Sequence, residues 1–201
     1  MTGKTHIGMG IVAYVGACST IPGGFNYTGA AVVAIASLLP DIDHPKGILN
    51  QYILPFKNNA TKVAVYTSIG MVILTLDFLY FNNIFLKVLG FILIMIAFSS
   101  HREGITHSLM GMILFAVIIS YVGKHYEIAN IIYYFLIGYG MHIIGDMFTK
   151  RGVPVFYPFN KKKYKFPVTF VTGSPKGKII EEFIMIAGLM YIIYKLPSIL
   201  M

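Results

Sequence analysis

Hydrophobic positions in this chain run in long blocks and do not alternate with polar ones. From Thr5 to Pro40 there is no Lys, Arg, Asp or Glu, although one membrane span needs only about 20 apolar residues. Turn chemistry at Pro22-Gly23-Gly24-Phe25-Asn26 divides this run, so it reads as a helical hairpin. Further apolar segments cover 63–81, 84–98, 105–122 and 128–148, with breaks at Asn82-Asn83, at a polar block beginning with His101, and at 124–127. A transmembrane strand would show roughly ten residues of alternation, whereas these blocks are continuously apolar. The expected fold is therefore all-α: a polytopic integral membrane helical bundle of about six spans, with 179–194 as a further C-terminal helix. No internal repeat divides it, and residues 1–201 read as a single membrane-embedded domain.

Composition supports that reading. With 56% hydrophobic and 12% charged residues and a mean hydropathy of +0.72, too little polar side chain remains to cover a soluble globule. The one long polar region, 149–178, carries eight basic residues interleaved with aromatics such as Phe156, Tyr164 and Phe170. Such a loop suits nucleic acid, but beside a membrane the simpler role is contact with anionic headgroups. Membrane lipids are thus the expected partner, ahead of nucleic acid. Val15-Gly16-Ala17-Cys18 faintly resembles a lipoprotein cleavage site. Against processing there, the apolar run continues into a second span, and cleavage would discard His6. Cys18 is the sole cysteine and has no internal disulfide partner.

Charge also orients the chain. If Lys4 is cytoplasmic and six crossings follow, thirteen of the sixteen basic residues lie on the cytoplasmic side, leaving only Lys87, Lys124 and Lys195 elsewhere. The positive-inside rule selects this topology. The same count brings His6, the Asp41 turn, the His101 block and the end of the His142 helix to one face. His125, beside Lys124 and Glu127, falls on the opposite face and reads as an ordinary loop residue.

Those four places hold most of the chain's metal-ligating chemistry. His142 and Asp146 are four apart on an expected helix, hence on one face about a turn apart; the pair can chelate a metal or simply share a hydrogen bond. Asp41 and Asp43 flank Ile42 after Pro40, and an extended turn would aim both carboxylates to one side. Two adjacent acids repel unless a cation or base neutralises them, and His44 follows directly. His101 and His107 bracket Arg102, Glu103, Thr106 and Ser108; the hydroxyls suit a helix cap, while a guanidinium beside two imidazoles suits an anion held next to a cation. Gly138 and Gly140, just before His142, suit close helix packing.

The string Leu38-Leu39-Pro40-Asp41-Ile42-Asp43-His44-Pro45, the block His101-Arg102 to Thr106-His107-Ser108, and Gly138-Tyr139-Gly140-Met141-His142-Ile143-Ile144-Gly145-Asp146 followed by Gly152-Val153-Pro154 closely resemble the YdjM-type family of bacterial membrane-bound, metal-dependent hydrolases. The likeness covers nearly the whole chain. That family is grouped with zinc-dependent phospholipase C and the fungal single-strand zinc nucleases. The resemblance implies metal-ligand roles for His6, Asp41, Asp43, His44, His101, His107, His142 and Asp146. In one respect the chain departs from the pattern His-Arg-Gly-x-Thr-His-Ser: Glu103 makes the middle block one residue longer.

The resulting expectation is a hydrolase of phosphoesters, with a lipid headgroup as favoured substrate. Two or three divalent metals would be held, zinc before manganese or iron. Arg102 would steady phosphoryl oxygens, and Asp41, Asp43 or Glu103 would act as general base. Two alternatives compete: a non-enzymatic metal-binding membrane protein for transport or regulation, and a membrane-tethered nucleic-acid hydrolase using the basic loop. No Gly-rich phosphate loop and no His-Glu-x-x-His signature occurs. Substrate identity and oligomeric state stay open at this level.

Overall fold

The computed structural model describes residues 1–99 and 104–200. These residues are helical or irregular, with no named strand among them. The helices are α1 (Gly3–Ala17), α2 (Tyr27–Ala36), α3 (Asn50–Ile53), α4 (Asn59–Leu76), α5 (Ile84–Phe98), α6 (Leu109–His125), α7 (Ile131–Met147) and α8 (Pro175–Leu200). Polar caps punctuate the apolar blocks. Side chains of Asn26, Asn58, Asn83 and Ser108 accept hydrogen bonds from the first-turn amides of α2, α4, α5 and α6, satisfying donors that have no partner within the helix.

The expected hairpin is present. α1 turns into α2 at residues 22–26, where the Tyr14 hydroxyl accepts from the Asn26 amide at 3.0 Å and the Tyr134 hydroxyl accepts from Asn26 Nδ2 at 2.7 Å. α7 packs on this hairpin, and α8 packs on α1. α4 and α5 form a second hairpin with a close approach at Gly70 and Gly90, where a Cβ on Gly70 would come within 2.9 Å of the Gly90 carbonyl. α6 joins the two halves by touching both α5 and α7.

Helix lengths differ from the expected set of spans. Among the described residues, only the continuous segment Asn59–Phe81, in which α4 runs on through a π turn at Asp77–Phe81, is long and apolar enough to cross a membrane; Tyr27–Ala36, Ile84–Phe98, Leu109–His125 and Ile131–Met147 are shorter apolar helices. The missing turns have gone into polar connections. The apolar run from 105 opens with a 3-10 turn at Ile105–His107, and α6 starts only after Ser108 has capped it. Likewise Leu39–Asp43 is a 3-10 turn with Pro40 at its start, not an extended segment; proline is tolerated there because first-turn amides lack helical acceptors anyway.

Both 3-10 turns are tied down by buried polar groups. Asn50 Nδ2 donates to the carbonyls of Ile42 at 2.7 Å and His44 at 2.8 Å, while Tyr66 donates to Asn50 Oδ1 at 2.6 Å. The Lys62 ammonium, buried at the start of α4, donates to the carbonyls of Asp43 and Ser99. The basic loop 149–178 folds back over the same end. Val153 pairs with Tyr164 and is fully buried, and the Val155 carbonyl accepts from the Leu109 amide at 2.9 Å.

Glycine packing around the site is position-specific. A Cβ on Gly138 would lie 2.4 Å from the Val33 carbonyl oxygen and 2.8 Å from Ala36 Cβ, whereas one on Gly140 would meet nothing within 4 Å. Gly138 therefore lets α7 touch α2, and Gly140 does not serve packing. Gly138→Ala is expected to lower stability by about 1–3 kcal/mol through overpacking against backbone, read as a lower unfolding temperature in detergent. Gly140→Ala should leave that temperature unchanged or slightly raised.

Candidate metal centre

Four side chains from three parts of the chain converge in the interior. They are Asp41 from the first 3-10 turn, His107 from the second, and His142 and Asp146 one turn apart on α7, and one ligand atom from each lies within 4.8 Å of the others. His107, His142 and Asp146 have fully buried side chains, and the Asp41 side chain is 13% exposed. The Asp41 turn is held by the polar network of Asn50, Lys62 and Tyr66 described above. Tyr139, buried one turn before His142, adds a 2.5 Å hydrogen bond to the Thr106 carbonyl.

The distances match a small coordination sphere. His107 Nε2 is 3.3 Å from His142 Nε2, 3.6 Å from Asp41 Oδ1 and 3.5 Å from Asp146 Oδ2, and His142 Nε2 is 3.7 Å and 3.6 Å from the same two oxygens. Ligands around a four-coordinate ion with bonds of 2.0–2.1 Å lie about 3.4 Å apart.

The outer nitrogens of the two histidines show which atoms are aimed inward. His142 Nδ1 is 2.7 Å from the Ser37 carbonyl oxygen. A carbonyl only accepts, so Nδ1 carries the proton and the Nε2 lone pair points into the cluster. His107 Nδ1 lies 3.2 Å from Thr106 Oγ1, whose own hydrogen goes to Asp43 Oδ2 at 2.7 Å. The threonine oxygen must then accept from Nδ1–H, which again leaves Nε2 facing inward. Two imidazole lone pairs facing each other at 3.3 Å with two carboxylates beside them repel without a positive charge between them, so the donor set fits a divalent cation.

His6 adds a third imidazole. It is fully buried and stacks on His142 with centroids 3.7 Å apart and planes 12° apart. Its Nε2 is 3.4 Å from Asp146 Oδ1, and among the described residues neither ring nitrogen has a hydrogen-bond partner. A buried imidazole left so costs free energy unless it serves a ligand. Asp146 is thus shared: Oδ2 faces His107 and His142, while Oδ1 faces His6 and takes the Met1 ammonium at 2.6 Å.

Titration of the two turn residues reflects the same crowding. Burial works to raise the Asp41 carboxyl, but His142, His107 and His6 outweigh it and hold the group well below the usual carboxylate range. At His107 burial works to lower the imidazole; the hydrogen-bonding carboxylates of Asp146 and Asp41, with Asp43 behind, overcome it and push the value up to about 10. Without a metal, a proton on His107 supplies the positive charge that the carboxylates need.

The remaining sequence candidates fall elsewhere. Asp43 is fully buried but stands behind His107, 3.9 Å from Nδ1, with its carboxylate on Thr106 and Ser99. His44 is partly exposed and lines the cavity outside the cluster. His101, Arg102 and Glu103 lie outside the described residues. His125 ends α6, stacked on Tyr121 and edge-on to Tyr126. Glu181 accepts from the Thr2 amide at 3.0 Å and the Thr5 hydroxyl at 2.8 Å, tying α8 to the start of α1. Thr106 as the relay between His107 and Asp43, and the Ser37 carbonyl as the acceptor for His142, were not foreseen. Adjacency to His107 could have flagged Thr106, but a backbone carbonyl leaves no mark in sequence.

A cavity of about 730 Å³ opens onto the cluster. Asp41 and His44 lie in its wall, and its rim carries Lys4, Lys46, Lys150 and Arg151. Asp41 is the only member of the four-residue cluster that lines it.

A family model described as YdjM inner membrane protein matches residues 1–199. Neither the curated proteins nor the solved structures contain a match to the chain.

Two outcomes follow for metal binding. The His107 proton must leave before Nε2 can ligate, so below about pH 10 each metal bound releases that proton. Apparent Zn²⁺ affinity of detergent-purified protein should then rise about tenfold per pH unit between roughly pH 7 and 9, measured by competition with a chelator; a flat profile would contradict ligation by His107. Thr106→Val removes the relay while keeping shape, and metal affinity should fall by about 10–100-fold, as for loss of a ligand's supporting hydrogen bond.

Proposed function

This chain belongs to the YdjM family of inner membrane proteins, and from that premise we propose that it is a metal-dependent hydrolase of phosphoesters whose favoured substrates are lipid headgroups. The observation that carries the reading is the joining of two features at Asp41: a buried His/Asp cluster fit for a cation, and a cavity whose rim is basic. A phosphodiester is the common group that seeks both a divalent cation and several Lys or Arg side chains.

In this reading Asp41, His107, His142 and Asp146 hold a cation, with the His6 imidazole beside them as the donor for another. Mixed imidazole and carboxylate donors suit zinc, then manganese or iron. A divalent cation held there supplies Lewis-acid activation of the phosphoryl group and of water. Ser37 and the Thr106–Asp43 relay fix the two imidazole rings. Lys4, Lys46, Lys150 and Arg151 draw the phosphate oxygens toward the cation beside Asp41 and offset their charge.

The family description and the apolar exterior support a bundle of several crossings. Val72, Phe78, Phe91 and Phe183 are each more than half exposed, and soluble monomers rarely leave such area to water. The basic residues, concentrated at the end that holds the cluster, support a cytoplasmic orientation of the site. Cysteine accessibility mapping on a Cys18-free background should label positions near Lys46 and Lys150 from the cytoplasmic side only. Labelling of the two from opposite sides would end the shared-site reading.

Activity is tested on purified protein with phospholipids and a generic phosphodiester. His142→Ala and Asp146→Ala should each lose bound metal and lower turnover by at least about 100-fold, with the double variant little worse than either, as residues acting as a unit behave. Full metal occupancy with retained turnover in His142→Ala would show that the α7 pair is only a helix-packing contact, and no turnover by the metal-loaded unsubstituted protein would reject the hydrolase reading. Lys150→Gln and Arg151→Gln should each raise KM on anionic vesicles by about fivefold, since a basic residue near an anionic surface is worth ~1 kcal/mol, and both should weaken the salt dependence.

A further inference from the structure

A second cavity meets the first at a single residue. Between α1 and α8 runs a groove of about 780 Å³, lined by Ile7, Ile11, Val12, Phe183, Ile192 and Tyr191 among others, with Lys4 as its sole charged residue. Lys4 also lines the basic cavity beside Asp41. The two spaces therefore adjoin at the Lys4 side chain, one almost wholly apolar and the other rimmed by Lys4, Lys46, Lys150 and Arg151.

The groove persists because the helices are pinned at particular points. Glu181 ties the start of α8 to Thr2 and Thr5 on α1. Further along, small residues set the spacing: a Cβ on Gly8 would overlap Met185, one on Gly188 would meet Val12 Cγ2 at 2.7 Å, and one on Gly16 would lie 3.0 Å from the Tyr191 hydroxyl. Contact along those points leaves the neighbouring apolar side chains to line an open channel.

We infer that this groove holds an acyl chain of an anionic phospholipid whose phosphate sits in the basic cavity, so that α1 and α8 select the lipid tail and Lys4 marks the junction of head and tail. The inference rests on the hydrolase reading for what happens to that lipid, but not for its binding. Charge complementarity argues for the occupant. A neutral lipid would leave the four cationic side chains of the neighbouring cavity with Asp41 as the one carboxylate among its lining residues, and an apolar peptide helix would place no anion there. In a phospholipid, by contrast, an anionic phosphate is joined directly to an apolar chain, in the order in which the two spaces adjoin. Chain burial at about 25 cal/mol per Å² and phosphate pairing then act on one molecule.

The chain contains no tryptophan, so a single substitution provides a sole fluorescent reporter. Tyr191→Trp, or Ile192→Trp should the first not fold, places it in the groove; Val72→Trp places it on the exposed face of α4. Each variant is reconstituted in phosphatidylcholine bilayers doped with either phosphatidylglycerol or phosphatidylcholine carrying brominated acyl chains, which quench tryptophan on contact. The groove reporter should be quenched by the brominated phosphatidylglycerol with about fivefold or greater preference, the factor one basic residue near an anionic surface supports. Lys4→Gln should remove most of that preference, and the α4 reporter should show little.

Equal quenching by the two lipids at the groove reporter would overturn the inference, as would an equal preference at Val72→Trp, which would mean a general layer of anionic lipid. Loss of quenching with protein concentration, with a dimer seen by cross-linking, would assign the groove to a second copy and also overturn it. Because the readout needs no turnover, preference without hydrolysis would leave the lipid site standing and remove the hydrolase reading. Hydrolysis without preference would do the reverse.

Discussion

Everything around the centre of this protein answers to one electrostatic constraint: Asp41 and Asp146 are brought to within a few ångströms of each other and of two inward-facing imidazole nitrogens, in a cluster where only the Asp41 side chain is partly exposed. Burying carboxylates costs several kcal/mol each unless positive charge accompanies them. A proton on His107 meets part of that demand and a divalent cation meets more of it. The surrounding polar contacts make sense as means of holding the donors against their mutual repulsion. Ser37 and Thr106 fix the imidazole planes, Asn50 and Lys62 fix the Asp41 turn, and Tyr139 fixes the His107 turn.

How far sequence alone reaches can be seen residue by residue. The i,i+4 pair His142 and Asp146 was legible because helical spacing is a local property, and the 3.6 Å between their ligand atoms is what that spacing yields. The convergence of Asp41, His107 and α7 was legible through charge bias, a global property that places loops on one face without any contact information. Asp41 and Asp43 were not separable in advance. In an extended turn they would point together; in the 3-10 turn actually formed, Asp41 approaches His107 Nε2 and Asp43 approaches Nδ1 on the ring's far side. A one-residue choice of backbone conformation thus divides two like acids between the cluster and its support.

Glu181 teaches the same lesson from the other direction. An acid near a helix start is explained well enough by the helix dipole, so its sequence context carries no hint of Thr2 and Thr5, which lie more than 170 residues away. Long-range polar ties of this sort are set by how helices pack, and periodicity is blind to them. The packing glycines show a related limit. Gly138 and Gly140 look alike in sequence, yet they point to different faces of α7, and only Gly138 meets α2.

The short helices are the structural counterpart of the polar centre. α2 ends at Ala36 so that Ser37 can offer its carbonyl to His142, and α6 begins after Ser108 so that Thr106 and His107 can occupy a 3-10 turn. In both cases a turn that could have extended an apolar helix is used to aim a ligand or its support. The backbone groups released by these early endings are still paired, through the Ser108 and Asn50 side chains and through the loop at Val155, as a low-dielectric setting demands. Helix α4 contributes no side chain to the four-residue cluster and serves it only from outside, through Lys62 and Tyr66, which hold the Asp41 turn. Its supporting contacts are made from side chains, so the helix gives up no turn to them, and among the described residues its continuation to Phe81 is the one segment long and apolar enough to cross a bilayer.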